Sequence, residues 1–257
     1  MQLKKRLFLN LFPADVLRKL LLIDVFLALL SLIATVFIHQ YETRLEQALW
    51  ILSTNEESSL PTWYASIKLL GCALFIYLIY RQKSREEDRF TLHWKMLFGI
   101  MLYISIDEIA TFRENIAIVL YPVINGTGIF AHNWVLIVLP IVFVTAIFYI
   151  NFLVKLPAKT KRLFVASGVL FVGGAVGFEM ATAFLKSLHD YDTSQWGTQE
   201  IMTHLALTTV EELLEMVAIS IFLYAILSYI RENRILDSFQ MKLTGGRDAV
   251  RSENIGP

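Results

Sequence analysis

The chain has 257 residues, 56% of them hydrophobic, with a mean hydropathy of +0.55 and only six prolines, a balance too apolar for an ordinary soluble domain. Its 23 basic and 23 acidic residues cancel, so no global charge argues for nucleic acid or an acidic partner. The single cysteine, Cys72, excludes an intramolecular disulfide and a cysteine-based zinc site, and its apolar surroundings in sequence read as inert packing.

About 20 mainly apolar residues cross the roughly 30 Å of hydrocarbon in a bilayer. Six stretches qualify, near 20–38, 63–80, 93–114, 131–151, 163–184 and 205–230. The predicted fold is all-α: a polytopic membrane bundle of about six transmembrane helices over residues 1–230, followed by a partly disordered cytoplasmic tail over 231–257. The first span follows Lys4, Lys5 and Arg6 as a signal peptide would, but no small-residue cleavage site follows it, so it reads as a retained anchor.

Basic residues collect in the N-terminal segment, the 81–95 and 155–162 connections, and the tail. Only Arg44, Lys68, Arg113 and Lys186, of 23 lysines and arginines, fall elsewhere. By the positive-inside rule both termini are cytoplasmic. Trp63, Tyr64 and Trp134 near outer boundaries, and Tyr80, Trp94 and Tyr229 near inner ones, suit interfacial positions. Between the first two spans, Tyr41, Leu45, Ala48, Leu49 and Leu52 repeat at helical spacing, predicting an amphipathic surface helix over 41–52.

Further along, Asn125-Gly126-Thr127 matches a glycosylation sequon but is above all a turn signal. Pro140 falls inside the fourth span, where it should kink the helix. Gly173 and Gly177 form a G-x-x-x-G pattern that lets another helix approach closely. Asp24, early in the first span, reads as a carboxylate favoured by a helix N-terminus at the inner interface.

Ionisable side chains inside a bilayer are costly, so each is a functional candidate. The third span carries Asp107, Glu108, Arg113 and Glu114; the fifth carries Glu179; the sixth carries Glu211, Glu212 and Glu215; His132 and His204 open the fourth and sixth. At 1.5 Å per residue, Asp107 falls roughly 9 Å and Glu179 roughly 4 Å from the outer boundary, with Glu211 about 9 Å and Glu215 about 15 Å below it. Spans running in alternating directions thus bring their acids to one outer layer. Asp107, Thr111 and Glu114 share a face of a continuous helix, and His204, Thr208, Glu211 and Glu215 form a polar stripe on another. Glu179, two residues past Gly177, points away from the glycine face.

Seven carboxylates against Arg113 and Lys68 cannot all stay ionised in low dielectric without bound cations, shared protons or water. The sharpest expectation is a divalent metal, manganese, iron or zinc before calcium, held by Asp107, Glu108, Glu114, Glu179, Glu211, Glu215, His204 and His132. Arg113, Thr111 and Thr208 would hold a further ligand. No Glu-x-x-His di-iron signature and no His-Glu-x-x-His motif is present.

The succession Ser-Ile-Asp-Glu in one span, Gly-Phe-Glu in a later one and Thr-Val-Glu-Glu-Leu-Leu-Glu-Met in the last resembles a group of bacterial polytopic membrane proteins of uncharacterised function. The resemblance covers roughly residues 95–230 and implies a bacterial inner-membrane location and a shared acidic site. Members of that group carry a histidine and glutamate pair after the first motif. Phe112-Arg113-Glu114 stands there in this chain, so a third-span histidine ligand is lost.

The expectation is therefore a multipass inner-membrane protein whose outer half holds a carboxylate-rich site, binding a divalent metal and acting on a lipid or periplasmic substrate. The alternatives are a proton- or cation-coupled transporter, or a structural subunit of a membrane complex.

Overall fold

The structure, a computed structural model, describes residues 12–40, 49–54, 56, 58–120, 126–189 and 196–235. The predicted surface helix over 41–52, Asn125 of the sequon and the tail beyond residue 235 lie wholly or largely outside the described residues.

The described residues are helical throughout apart from short connections: α1 (Pro13–Gln40), α2 (Leu60–Arg85), α3 (Thr91–Ala110), α4 (Phe112–Leu120), α5 (Asn133–Lys155), α6 (Ala158–Val172), α7 (Glu179–His189) and α8 (Thr198–Glu232). A 3₁₀ turn (Gly128–Phe130) precedes α5, and a π-helical turn (Gly173–Phe178) joins α6 to α7. Five stretches are long and apolar enough to cross a membrane: α1, α2, α5, the α6–α7 rod over Ala158–Leu188, and α8. The expected third span is not among them, because the 20 residues of α3 include Lys95, Asp107 and Glu108.

Local chemistry sets the boundaries. α1 opens seven residues before the predicted span because Pro13 has its φ preset for a first helical turn, where no N–H is needed. Ser59 caps α2, its hydroxyl accepting from the Thr62 amide at 3.3 Å, with Pro61 in the first turn and Lys83 and Arg85 in the last. α3 follows a tight turn in which the Asp88 carboxylate accepts the Phe90 amide at 2.7 Å. α8 has 35 residues, which is about 52 Å at 1.5 Å per residue and longer than a bilayer core is thick.

The expectation of a straight helix over 93–114 is corrected at Thr111. That residue adopts φ 51° and ψ 38°, and its amide closes on the Asp107 carbonyl at 2.8 Å, which ends α3. The chain resumes as the separate nine-residue α4, so Asp107, Thr111 and Glu114 do not share one helical face. Arg113 and Glu114 belong to α4, and their side chains lie outside the described residues.

α8 sits at the centre, packed against α1, α2, α6 and the π turn, while α2 and α3 form a close antiparallel pair. The main core joins Leu69, Cys72, Ile76 and Ile79 of α2 to Trp94, Phe152, Phe164, Ile226 and Ile230. Cys72 is fully buried and unbonded. Leu22, Phe26, Ile33, Phe143, Val144, Ile147 and Val169 face outward as an apolar belt, as lipid contact requires.

Polar contacts tie the helices in addition to this apolar packing. Ser66 and Ser105 each donate to the other's backbone carbonyl, at 2.7 and 2.9 Å, and so clamp α2 to α3. Asp24, read from sequence as an interfacial carboxylate, is instead fully buried among α1, α2 and α8. The Lys68 ammonium donates to it at 2.6 Å and the Ser220 hydroxyl at 2.6 Å. Lys68 therefore neutralises Asp24 and is not simply a counter-ion for the third-span acids; it also donates to the Met216 carbonyl at 2.8 Å and lies over the Tyr64 ring.

Candidate functional site

At the end of the bundle where α3 stops and α5 begins lies a cavity of about 370 Å³. It is walled by Asp107, Glu108 and Thr111 from α3 and its cap; His132 and Trp134 from the start of α5; Ala175, Glu179, Thr182 and Lys186 from the π turn and α7. The first half of α8 contributes His204, Thr208, Glu211, Glu212 and Glu215, the approach to α2 adds Thr54 and Glu56, and the first turn of α2 adds Thr62. Of the residues singled out in the sequence, Asp107, Glu108, Glu179, Glu211, Glu215, His132, His204, Thr111 and Thr208 thus face one cavity.

Glu179 is the hub. His132 Nδ1 lies 2.8 Å from its Oε1, and the Trp134 indole N–H donates to the same oxygen at 3.2 Å. The Glu211 carboxyl is within hydrogen-bonding reach of Glu179 as well. Two carboxyls this close need a proton or a cation between them. Asp107 and Glu211 are buried, while Glu179 and His132 are partly open to the cavity.

The π turn explains how Glu179 gets there. Hydrogen bonds from i to i+5 place residues five apart one above the other, so Gly174 and Glu179 both face α8. A Cβ on Gly174 would meet Glu215 Cγ at 3.1 Å and the Glu211 carbonyl at 3.2 Å, whereas Gly173 and Gly177 face open space. The glycine that permits close helix approach is therefore Gly174, and the predicted role of the Gly173/Gly177 pair is corrected. Glu179 does point away from those two glycines, as expected.

The histidines differ. His132 is engaged by Glu179, whereas His204 packs edge-on against the Trp196 ring and, among the described residues, its buried Nδ1 has no hydrogen-bond partner. Thr208 returns its hydroxyl to the His204 carbonyl at 3.1 Å.

Residues 8–229 match the family model of a domain of unknown function, DUF8692. The chain belongs to this family. The DUF8692 match contains every cavity residue named above and ends at Tyr229. No curated protein matches the chain, and no solved structure does.

In this DUF8692 chain the expected metal set does not close into a ready shell: among the described residues, no three His, Cys, Asp or Glu side chains converge closely enough to hold an ion. Glu114 and Arg113 cannot be placed relative to the cavity, since their side chains are outside the described residues.

Sequence reasoning missed several wall residues. Lys186 had a signal: it lies seven residues after Glu179, a spacing that stacks side chains on one helical face. Glu56 and Thr54 had none, because they belong to a connection whose path is set by tertiary contacts. Ser31 of α1 fixes it, accepting from the Thr54 amide at 2.8 Å. Trp134, read as an interfacial aromatic, donates to the central carboxylate instead.

Proposed function

We propose that this DUF8692 protein is a multipass inner-membrane protein that binds a cation in its carboxylate-lined cavity, with a partly hydrated divalent metal as the first candidate. The approach of Glu179 to Glu211 carries this reading. Around that pair stand Asp107, Glu108, Glu212, Glu215 and Glu56, while Lys186 is the one lysine in the wall among the described residues. Such a wall is a sink for positive charge.

Because the described residues preform no shell, the ion that suits the site is one that keeps several waters and accepts carboxylate oxygens. Manganese fits best, since it tolerates carboxylate, water and imidazole together. His132 and His204 supply the imidazoles. Held by these carboxylates and imidazoles, such an ion would supply Lewis-acid chemistry at a carbonyl or phosphoryl oxygen, as action on a lipid or periplasmic substrate requires.

One observation favours a second reading, a proton- or cation-coupled transporter. Lys68 donates to the carbonyl of Met216, the residue after the cavity wall's Glu215, and it carries the buried charge pair with Asp24. Charged groups therefore continue from the cavity into the interior, as ion pathways require.

Elemental analysis of detergent-purified protein tests the first reading. It predicts about one divalent ion per chain after equilibration and washing, lost in Glu179→Gln. Substoichiometric metal in both proteins, together with cation-dependent flux into protein-loaded vesicles, would transfer the assignment to the transporter.

A further inference from the structure

A second cavity, of about 400 Å³, opens at the opposite end of the bundle, between the α2–α3 turn, the α5–α6 turn and the end of α8. The charge pattern of the sequence assigns this end to the cytoplasm. The walls are of two kinds. Phe90, Phe152, Leu156 and Pro157 make an apolar side, and Arg89 of the α2–α3 turn and Lys155 at the end of α5 bring cations from two sides.

Two of the buried side chains here carry donors with no hydrogen-bond partner of their own. Trp94 and Tyr229 are 1% and 5% exposed, and both line the cavity. Among the described residues, neither the Trp94 indole nitrogen nor the Tyr229 hydroxyl has a hydrogen-bond partner, and neither atom is sealed off from the space. Both side chains are buried almost whole, and what they leave open is a donor that faces the cavity. Arg89 and Lys155 are exposed and, among the described residues, have no carboxylate partner; Arg89 lies over the Phe90 ring at 4.5 Å.

Asp88, the one acid in the wall among the described residues, is already engaged. One oxygen accepts the Phe90 amide at 2.7 Å and the other faces the Lys83 ammonium at 3.6 Å. Among the described residues, what remains free in the cavity is a set of two cations, an indole N–H and a phenol O–H.

From this juxtaposition we propose that the cavity is a binding site for an anionic phospholipid, its phosphate held by Arg89, Lys155, Trp94 and Tyr229 and its acyl chain lying against Phe152 and Leu156. Indole, guanidinium and ammonium groups donate only, so they select an anionic oxygen. The apolar wall selects an amphiphile over a free ion. Basic pockets between transmembrane helices on the cytoplasmic side are suited to such headgroups, because anionic lipids are enriched in that leaflet. The site is separate from the carboxylate-lined cavity and stands or falls independently of it.

Native mass spectrometry of the full chain, released from mixed micelles holding equal phosphatidylglycerol and phosphatidylcholine, tests the proposal. The wild type should retain phosphatidylglycerol over phosphatidylcholine by about thirtyfold, as two interfacial cations warrant. The Arg89→Gln/Lys155→Gln variant should lose that preference, because both side chains are on the surface and the fold does not depend on them. Trp94→Phe, which keeps the ring and deletes the N–H, should lower it in part. Lys161→Gln/Arg162→Gln removes the same charge nearby but outside the cavity and should leave it intact. Equal retention of the two lipids by the wild type would overturn the site, as would equal loss in both double variants. Inorganic phosphate raising the unfolding midpoint as much as phosphatidylglycerol does would overturn the lipid as its occupant.

Discussion

Gly174 and Glu179, five residues apart, meet the same residue of α8: the glycine lies against the Glu211 carbonyl and the glutamate reaches the Glu211 carboxyl. A π turn makes that coincidence, since in an α-helix residues five apart diverge. Such turns are frequent at functional sites, and this one delivers a carboxylate to the cavity while clearing the space for its neighbour.

The two glycine environments predict opposite outcomes. Gly174→Ala places a methyl group 3.1 to 3.4 Å from Glu215, Glu211 and Leu214, and overpacking of that kind costs about 1–3 kcal/mol. Gly177→Ala meets nothing within 4 Å and should be neutral or stabilising by about 0.5–1 kcal/mol through lost backbone freedom in the unfolded chain. Unfolding midpoints of the two variants in the same detergent check this. A destabilised Gly177→Ala beside a tolerated Gly174→Ala would refute the π-turn geometry.

The Asp24–Lys68 pair predicts strong non-additivity. Both groups are buried, at 0% and 4% exposure, so Lys68→Met alone strands a buried carboxylate and should cost about 3–5 kcal/mol. Asp24→Leu combined with Lys68→Met removes both charges and should recover most of that loss. A double-mutant cycle on unfolding free energy reads the coupling. Additive losses would mean that the two charges do not depend on one another.

Thr111 holds a left-handed backbone conformation, φ 51°, that costs a β-branched residue about 1–2 kcal/mol. Thr111→Gly should therefore raise the unfolding midpoint, even though it gives up the hydrogen bond from Asn115 to the Thr111 hydroxyl at 3.0 Å. Thr111→Ile keeps the strain and loses the hydroxyl, so it should lower the midpoint. Similar midpoints for the two variants would argue that the chain is not left-handed there.

Much of the site was legible because it obeys helix periodicity. His204, Thr208, Glu211 and Glu215 are a stripe in sequence and a wall in space. Glu179 stood out as a lone acid in an apolar span. What escaped were features set by departures from that period, or by pairing across the bundle. Nothing in Ile-Ala-Thr-Phe marks a break at Thr111, since neither Gly nor Pro is there. The π turn moved the packing role from Gly173 and Gly177 to Gly174. Asp24 and Lys68 are 44 residues apart, and two single charges on different helices announce no partnership until the helices are packed.

Isothermal titration of purified protein with manganese tests the central claim most directly, comparing the wild type with the Glu179→Gln/Glu211→Gln variant, which keeps side-chain volume and removes the paired charge. Saturable binding near one ion per chain, weakened at least about tenfold in the variant, is the predicted result. Identical isotherms for the two proteins, or no heat from either, would contradict it.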